Sequence, residues 1–382
     1  MAFGIVCEYN PFHNGHLRQI QEIKKGTNEP IICVMSGNFT QRGEVSVADK
    51  YSRAKVALEC GADLVVELPV PFCVASAEYF ASASIHVLGG LLVDKLSFGS
   101  ESANADQIIN IAKIAASDEF KNDCANLSKN QGSAGAYFEL LAKKSGVEDI
   151  KSNDILGIEY TKAIIKSGTD MQIFPIKREG NAYRDTELSF GELPSASAIR
   201  EVLFGGDFDK ISSFVPPSTM KMLTECELAS IDNAKDSILL VLRLMNAENI
   251  DVAVSDKGLL NRILSMAHEC TSFDEFEEKL QTKKYTKSAI RRAIFYILLG
   301  IKQDDLKKMP QYTVLLGATE RGREYLATIR KNDGIIKVIT KPSEADGTRQ
   351  FELAKKADAL FTMCLATTKD SGFYIKKPPV IL

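Results

Sequence analysis

The sequence has no apolar run approaching the roughly 18 residues that a membrane-spanning helix requires. Its opening residues, Met1 to Val6, lack the basic segment of a secretory signal, so no leader peptide is expected. None of its eight cysteines forms a CxxC pair, which excludes a zinc ribbon or a disulfide scaffold and fits a reducing cytoplasm. There is no internal repeat and no low-complexity segment. Also missing are a GxxxxGK[ST] phosphate loop, a GxGxxG after a strand, and a GxSxG nucleophile elbow. What is present is an ordinary globular composition, 45% apolar and 25% charged, over 382 residues, enough for two or three domains.

The formal net charge of −3 conceals an uneven distribution. Residues 1–278 carry 26 basic and 40 acidic side chains, for −14, whereas residues 279–382 carry 21 and 10, for +11. A basic end on an acidic chain is the pattern of a polyanion-binding module, set against the plainer reading of a solvated surface.

Over the first 200 residues, short apolar runs alternate with amphipathic ones. Strands are expected at Ala2–Glu8, Pro30–Ser36, Asp63–Leu68, Lys95–Phe98 and Met171–Ile176. Helices are expected at His16–Lys25, at Ala48–Cys60 (closed by Gly61), at Ser76–Leu92 and, with breaks near 130–133 and 152–154, from Asp106 to Lys166. Such alternation implies right-handed crossovers and a parallel sheet. The polar stretch Lys177–Pro194 is long enough for a functional loop. Residues 207–310 read as helical. The remainder is mixed, with strands at Tyr312–Leu316 and Ile335–Ile339 and helices at Thr319–Lys331 and Arg349–Leu365.

Only four histidines occur, and two stand three apart in Asn10-Pro11-Phe12-His13-Asn14-Gly15-His16. This HNGH lies between the first strand and the first helix, at the edge where open α/β sheets bind ligands. A helix N-terminus offers free N–H groups and positive dipole to phosphate. Gly15 admits a ligand close to the backbone, and two imidazoles can donate to an α-phosphate or a leaving pyrophosphate. The competing readings are an i,i+3 metal pair, with Glu8 the nearest further ligand, and two unrelated surface histidines. His86 and His268 lie in apolar helical stretches and read as packed or partly exposed. Cys7, in the first strand, reads as a buried inert thiol.

A strand running into HxGH resembles the adenylyltransferases and class I aminoacyl-tRNA synthetases. More narrowly, GIVCEYNPFHNGHL resembles the bacterial tRNA(Met) cytidine acetate ligase family. The resemblance continues in order through MSGNFTQRGEV (Met35–Val45), GADLVVELPVPF (Gly61–Phe72), FGSES (Phe98–Ser102), SNDILGIEY (Ser152–Tyr160) and KREG (177–180). It runs on through PSASAIR (Pro194–Arg200), TKSAIRRAIFYILLGI (Thr286–Ile301) and ITKPSE (Ile339–Glu344). It implies an α/β fold: a Rossmann-like parallel-sheet nucleotidyltransferase (HUP-type) domain, then a helical and small mixed α/β C-terminal region. Residues 1–205 would form the ATP-binding catalytic domain and residues 206–382 a mostly helical, basic region for tRNA. The implied enzyme is cytoplasmic and activates acetate with ATP as acetyl-adenylate. It then acetylates N4 of the wobble cytidine of elongator tRNA(Met). Mg²⁺ is expected to accompany ATP, with no dedicated protein site marked.

Carried onto this sequence, the family's ATP site comprises Val6, Cys7, Glu8, Tyr9, Asn10, Pro11, Phe12, His13, Asn14, Gly15, His16, Leu17, Arg18 and Gln19. Gly99, Asn153 and Arg178 complete it, and His13 and His16 are the catalytic pair. Gly99 follows a strand end, where a missing Cβ admits adenine or ribose. Asn153 caps a helix or bonds the nucleotide, and Arg178 forks onto phosphate or forms a surface ion pair. Ser195, Ser197 and Arg200 resemble the second nucleotidyltransferase signature, which closes over the triphosphate; the alternative is an N-cap box of Ser197 with Glu201. The loop Phe39–Glu44 contacts the carboxylate substrate or the base, or is structural. Lys284-Tyr285-Thr286-Lys287-Ser288 imitates a KMSKS loop but lies deep in the helical region. It therefore reads, with Arg291 and Arg292, as a basic helix start facing tRNA. HxGH alone fits a small-molecule adenylyltransferase of cofactor biosynthesis equally well, and a nucleotide-sensing RNA-binding protein is a third possibility.

Overall fold

A computed structural model describes residues 1–126, 134–178, 194–254, 256–282, 284–332 and 336–382; for residues 134, 152, 153 and 249 it describes the backbone alone. Eight strands among these residues form one sheet: β1 (Phe3–Cys7), β2 (Ile31–Ser36), β3 (Leu64–Leu68), β4 (Lys95–Ser100), β5 (Gln172–Lys177), β6 (Tyr312–Ala318), β7 (Lys337–Ile339) and β8 (Val380–Ile381). The spatial order is β5-β4-β1-β2-β3-β6-β7, with β8 paired to β6. Every pairing is parallel except β3 with β6.

The alternation of side chains along a strand builds two cores. Ile32, Val34, Val66 and Leu96 pack on one face, and Ile5, Cys33, Met35 and Val65 on the other. All six residues of β2 are buried, as expected of a central parallel strand covered on both sides. Helices α1 (Asn14–Gly26), α2 (Lys50–Glu59), α3 (Ala77–Gly90) and α4 (Ala105–Ala116) follow their strands closely where periodicity places them. Ile20, Ile23, Tyr51 and Leu58 turn α1 and α2 toward the second core, whereas Phe80, Leu88 and Ile108 turn α3 and α4 toward the first. Gly61 ends α2 at φ +112°, a conformation that favours glycine.

The expected break near 130–133, residue 335 of the expected strand, and most of the loop 177–194 lie outside the described residues. Two details differ from expectation. Residues 152–154 start the helix Ser152–Ser167 rather than breaking one. The second concerns organisation. β6, β7 and β8 come from the region expected to follow the catalytic domain, yet they extend the same sheet. The antiparallel β6 sits directly beside β3, with Thr313 Oγ1 donating to the Glu67 carbonyl at 2.7 Å. A cut after residue 205 therefore does not separate two sheets. Among the described residues, no helix is long and apolar enough to cross a membrane.

Candidate active site

Strand order reverses direction at β1, which pairs with β2 on one side and β4 on the other. The crevice outside the carboxyl ends of β1 and β4 is the switch point where such sheets take ligands. Val6 and Cys7 end β1; Glu8 to Phe12 form the turn, and Asn14 to Gln19 are the first turns of α1. Tyr9 takes φ +46°, unusual for a residue with a side chain. Its buried ring packs against Phe12 and His16 at 4.6 and 4.9 Å. Asn10 is buried, its Oδ1 accepting the Val47 amide at 2.7 Å. Asn14 Nδ2 donates to the Ser213 carbonyl at 2.9 Å, and Gln19 reaches Ser97 on β4 at 3.3 Å.

The two histidines form a reciprocal cap on α1. His13 is the N-cap residue, and its Nδ1 accepts the Gly15 amide at 3.0 Å. The His13 amide in turn donates to His16 Nδ1 at 3.2 Å. The rings stack at 3.7 Å between centroids. With each Nδ1 lone pair committed to a backbone N–H, each neutral ring carries its proton on Nε2, which is left as a donor. A metal-ligating pair would need those Nε2 lone pairs, so this geometry favours the anion-binding reading of HNGH. The glycine is also explained: a Cβ on Gly15 would lie 2.8 Å from His13 Cε1.

Electrostatics keep the pair neutral. Burial, reinforced by the Arg178 charge, pushes His13 down to about 3. Burial, then His13, then Arg178 hold His16 well below its usual value. Between the unfolded value near 6.5 and about 3, the unfolded chain binds more protons, so His13 makes stability fall as pH is lowered through that window. In His13→Asn, whose amide oxygen can still cap the helix, this component of the slope disappears, at most about 1.4 kcal/mol per pH unit. Urea unfolding of both proteins at pH 7 and 4.5 measures it; equal losses in the two would reject a buried neutral His13.

Gly99 and Arg178 face the histidines from β4 and the end of β5. The Arg178 amide donates to the Ser100 carbonyl at 2.9 Å, and its Cγ would lie 3.1 Å from a Cβ on Gly99. The FGSES loop is held by Asp154, which sequence reasoning missed. Asp154 accepts from Ser100 Oγ at 2.5 Å, from the Glu101 amide at 3.0 Å and from the Ser102 amide at 3.2 Å. Asn153 stands in the first turn of the same helix, whose N-cap is Lys151; its side chain lies outside the described residues.

In the PSASAIR segment, Ser195 rather than Ser197 is the N-cap of helix Ala196–Phe204, accepting the Ala198 amide at 3.2 Å. The N-cap box of Ser197 with Glu201, the alternative reading of this segment, is not what caps the helix. Arg200 Nη1 donates to the Asn10 carbonyl at 2.9 Å, so this helix is clamped onto the HNGH turn. Arg200 Nη2 also pairs with Glu44 Oε2 at 2.6 Å and reaches Ser197 Oγ at 3.4 Å.

Glu44 carries the network onward. Its Oε1 meets Arg291 at 2.9 Å, and Arg291 grips Glu277 through Nε and Nη2 at 2.6 and 3.2 Å. Arg292 reaches the Gln41 carbonyl at 3.4 Å, and burial lowers its pKa. A Cβ on Gly43 would lie 2.7 Å from Arg291 Cβ. Helix Lys287–Leu299 thus lies against the loop 37–46, and its arginines hold that loop. The sequence placed them on a basic helix start facing tRNA; their pairing with Glu44, Glu277 and the Gln41 carbonyl was not legible there. Lys284 and Lys287 are exposed, paired with Asp256 at 2.7 Å and Glu277 at 3.3 Å.

Two further buried charges were not legible in the sequence. Arg53 lies beneath the turn, donating to the carbonyls of Ala48 (3.0 Å), Glu8 (2.6 Å), Ser36 (3.2 Å) and Gly37. Lys50 Nζ meets Glu67 at 3.0 and 3.1 Å and Asp358 at 3.2 and 3.4 Å. Asn38 donates to Asp358 at 2.9 Å and accepts the Lys50 amide at 2.9 Å. His86 and His268 are exposed, and burial first of all pushes the Cys7 thiol up, as an inert thiol requires.

The HIGH Nucleotidyl Transferase family model matches residues 1–373. A tRNA(Met) cytidine acetate ligase of Clostridium perfringens is 33% identical, over 98% of each chain. The crystal structure of apo Thermotoga maritima TmcAL superposes with a TM-score of 0.91, 30% identity and full coverage of both chains. The same protein bound with alpha-thio ATP gives 0.88 at 28% identity, again over both whole chains. With its HNGH turn at the switch point of the sheet, this chain belongs to the HIGH nucleotidyl transferase family, among the tRNA(Met) cytidine acetate ligases.

Proposed function

We propose that this protein joins acetate to ATP as acetyl-adenylate and passes the acetyl group to N4 of the wobble cytidine of elongator tRNA(Met). The observation that carries the reading is the stacked, neutral pair His13–His16, with two Nε2–H donors at the mouth of α1 and Arg178 opposite. A free carboxylate is inert to an amine, so the α-phosphate must first convert it to a mixed anhydride. Charge then builds on the α-phosphate and on departing pyrophosphate, and preorganised donors stabilise that charge without reorganising. A T. maritima relative of the same fold binds alpha-thio ATP, which supports the nucleotide assignment.

The Val6–Gln19 stretch, Gly99, Asn153 and Arg178 would surround the nucleotide, and Ser195, Ser197 and Arg200 would close over its phosphates. Mg²⁺ would travel on the phosphate oxygens of ATP. Residues 1–205 supply the activating chemistry, and the basic region beyond them faces RNA, with Lys284 and Lys287 at its border. Arg291 and Arg292 then act on tRNA binding through the loop they hold. A reducing cytoplasm suits the eight free thiols. Incubation with ATP, labelled acetate and elongator tRNA(Met) should yield N4-acetylcytidine. Pyrophosphate release without acetylated tRNA would instead indicate a small-molecule adenylyltransferase.

A further inference from the structure

Glu8 stands between the two halves of this reaction. It follows β1 directly, five residues before His13, and its main-chain carbonyl is gripped by Arg53 at 2.6 Å. Its Oε1 accepts the Gln41 amide at 2.6 Å, which fixes the direction of the carboxylate. Gln41 is itself tied to the Ala75 carbonyl at 3.2 Å. On one side of Glu8 lies the HNGH turn. On the other lie the loop through Glu44 and the helix carrying Arg291 and Arg292. Glu8 is half-buried. The charged and titratable groups facing it are Arg42 and Glu44 from the loop, Arg200 from helix Ala196–Phe204 and Arg53 from α2. Tyr160 from helix Ser152–Ser167 and Cys73 from the turn after β3 also face it.

Glu8 is the one carboxylate in the Val6–Gln19 stretch, and the phosphates of the nucleotide repel it. The second substrate has a use for it. The cytosine N4 lone pair is delocalised into the ring, so its attack on an acyl carbon leaves a strongly acidic N–H that must lose a proton. A carboxylate is also the side chain that accepts from cytosine N4–H₂, while it repels the O4 of uracil.

We propose that Glu8 receives the exocyclic amine of the target cytidine and takes up its proton during acetyl transfer; this rests on the tRNA-acetylating reading above. The C–N bond forms as the bond between the acetyl carbon and the AMP phosphate oxygen breaks. The electron pair leaves with AMP, and the amine proton passes to the Glu8 carboxylate. Burial holds the Glu8 carboxyl above the usual carboxylate range and so strengthens it as a base.

The test separates the half-reactions in the full-length chain. Acetate-dependent ATP–pyrophosphate exchange reports activation; single-turnover transfer from preformed acetyl-adenylate to elongator tRNA(Met) reports the second step. In Glu8→Gln, transfer should fall about 10²–10⁴-fold, the range of general base catalysis, and much more than exchange does. Transfer should rise with pH along an acid limb in the wild type and in Glu8→Asp, and that limb should vanish in Glu8→Gln. Equal loss of exchange and transfer, or an acid limb retained in Glu8→Gln, would overturn the assignment. A wild-type chain that exchanges but never acetylates tRNA would overturn the proposed function instead, and Glu8's role with it.

Discussion

Replacing His16 with alanine will slow acetyl-adenylate formation about 10²–10³-fold, the usual cost of removing one placed donor from developing anionic charge. Acetate-dependent ATP–pyrophosphate exchange is the measurement. The effect follows from how the ring is held. His16 Nδ1 accepts the His13 amide at 3.2 Å, and Tyr9, Phe12 and His13 surround the ring. Its Nε2–H is therefore aimed before substrate arrives, and little ordering remains to be done on binding. His16 is neutral at pH 7, so the loss is that of a hydrogen-bond donor rather than of a charge. Exchange at the wild-type rate in His16→Ala would remove it from the mechanism.

The second large effect is on stability. Lys50→Met should destabilise the fold by about 3–5 kcal/mol, because it leaves two buried carboxylates without their cation. Lys50, Glu67 and Asp358 are each nearly inaccessible, and Lys50 touches both acids. Burial opposes the ammonium charge, yet Asp358 and Glu67 together hold its pKa well above the usual value. Burial likewise pushes the Glu67 carboxyl up, with Lys50 pulling the other way. Without Lys50, the Glu67 carboxyl rises further above its unfolded value. The folded variant then binds more protons, and stability is lost as pH rises through that interval. Denaturant melts at pH 5 and pH 8 should show the larger deficit at pH 8. A loss under 1 kcal/mol at both would mean that water reaches this cluster.

The cluster also shows where sequence reasoning ran out. Strands β1 to β4 and their helices were legible because each carries its burial in a short period of apolar residues. So was the placement of HNGH at the end of β1, since that required only the order strand, turn, helix. Gly15 and Gly99 were read as admitting a ligand; the atoms that a Cβ there would crowd belong to the His13 ring and the Arg178 side chain. Nothing local marks Lys50, which sits on a helix beside other polar residues and meets Asp358 across 308 positions of sequence. Asp154 was hidden in the same way, because its partners belong to a loop more than 50 residues earlier. Arg291 and Arg292 were expected on a basic helix start facing tRNA; that Glu44, Glu277 and the Gln41 carbonyl meet them was not legible for a related reason. A helical spacing says which residues share a face, but not what that face meets.

The uneven charge distribution and the ordered motifs were properties of the sequence alone, and they pointed to an acidic activating half and a basic end. The sequence by itself determined the strand-turn-helix unit that carries the HNGH turn. Only the tertiary structure decided that β6 would lie antiparallel beside β3 and bring helix Arg349–Met363 with it to complete the buried charges under the 37–46 loop. The imidazole tautomers, by contrast, follow from a cap local to residues 13–16, through backbone N–H groups that take their positions as α1 forms. Hydrophobic periodicity is written in neighbouring residues, whereas the partner of a buried charge depends on which distant segments the sheet brings together.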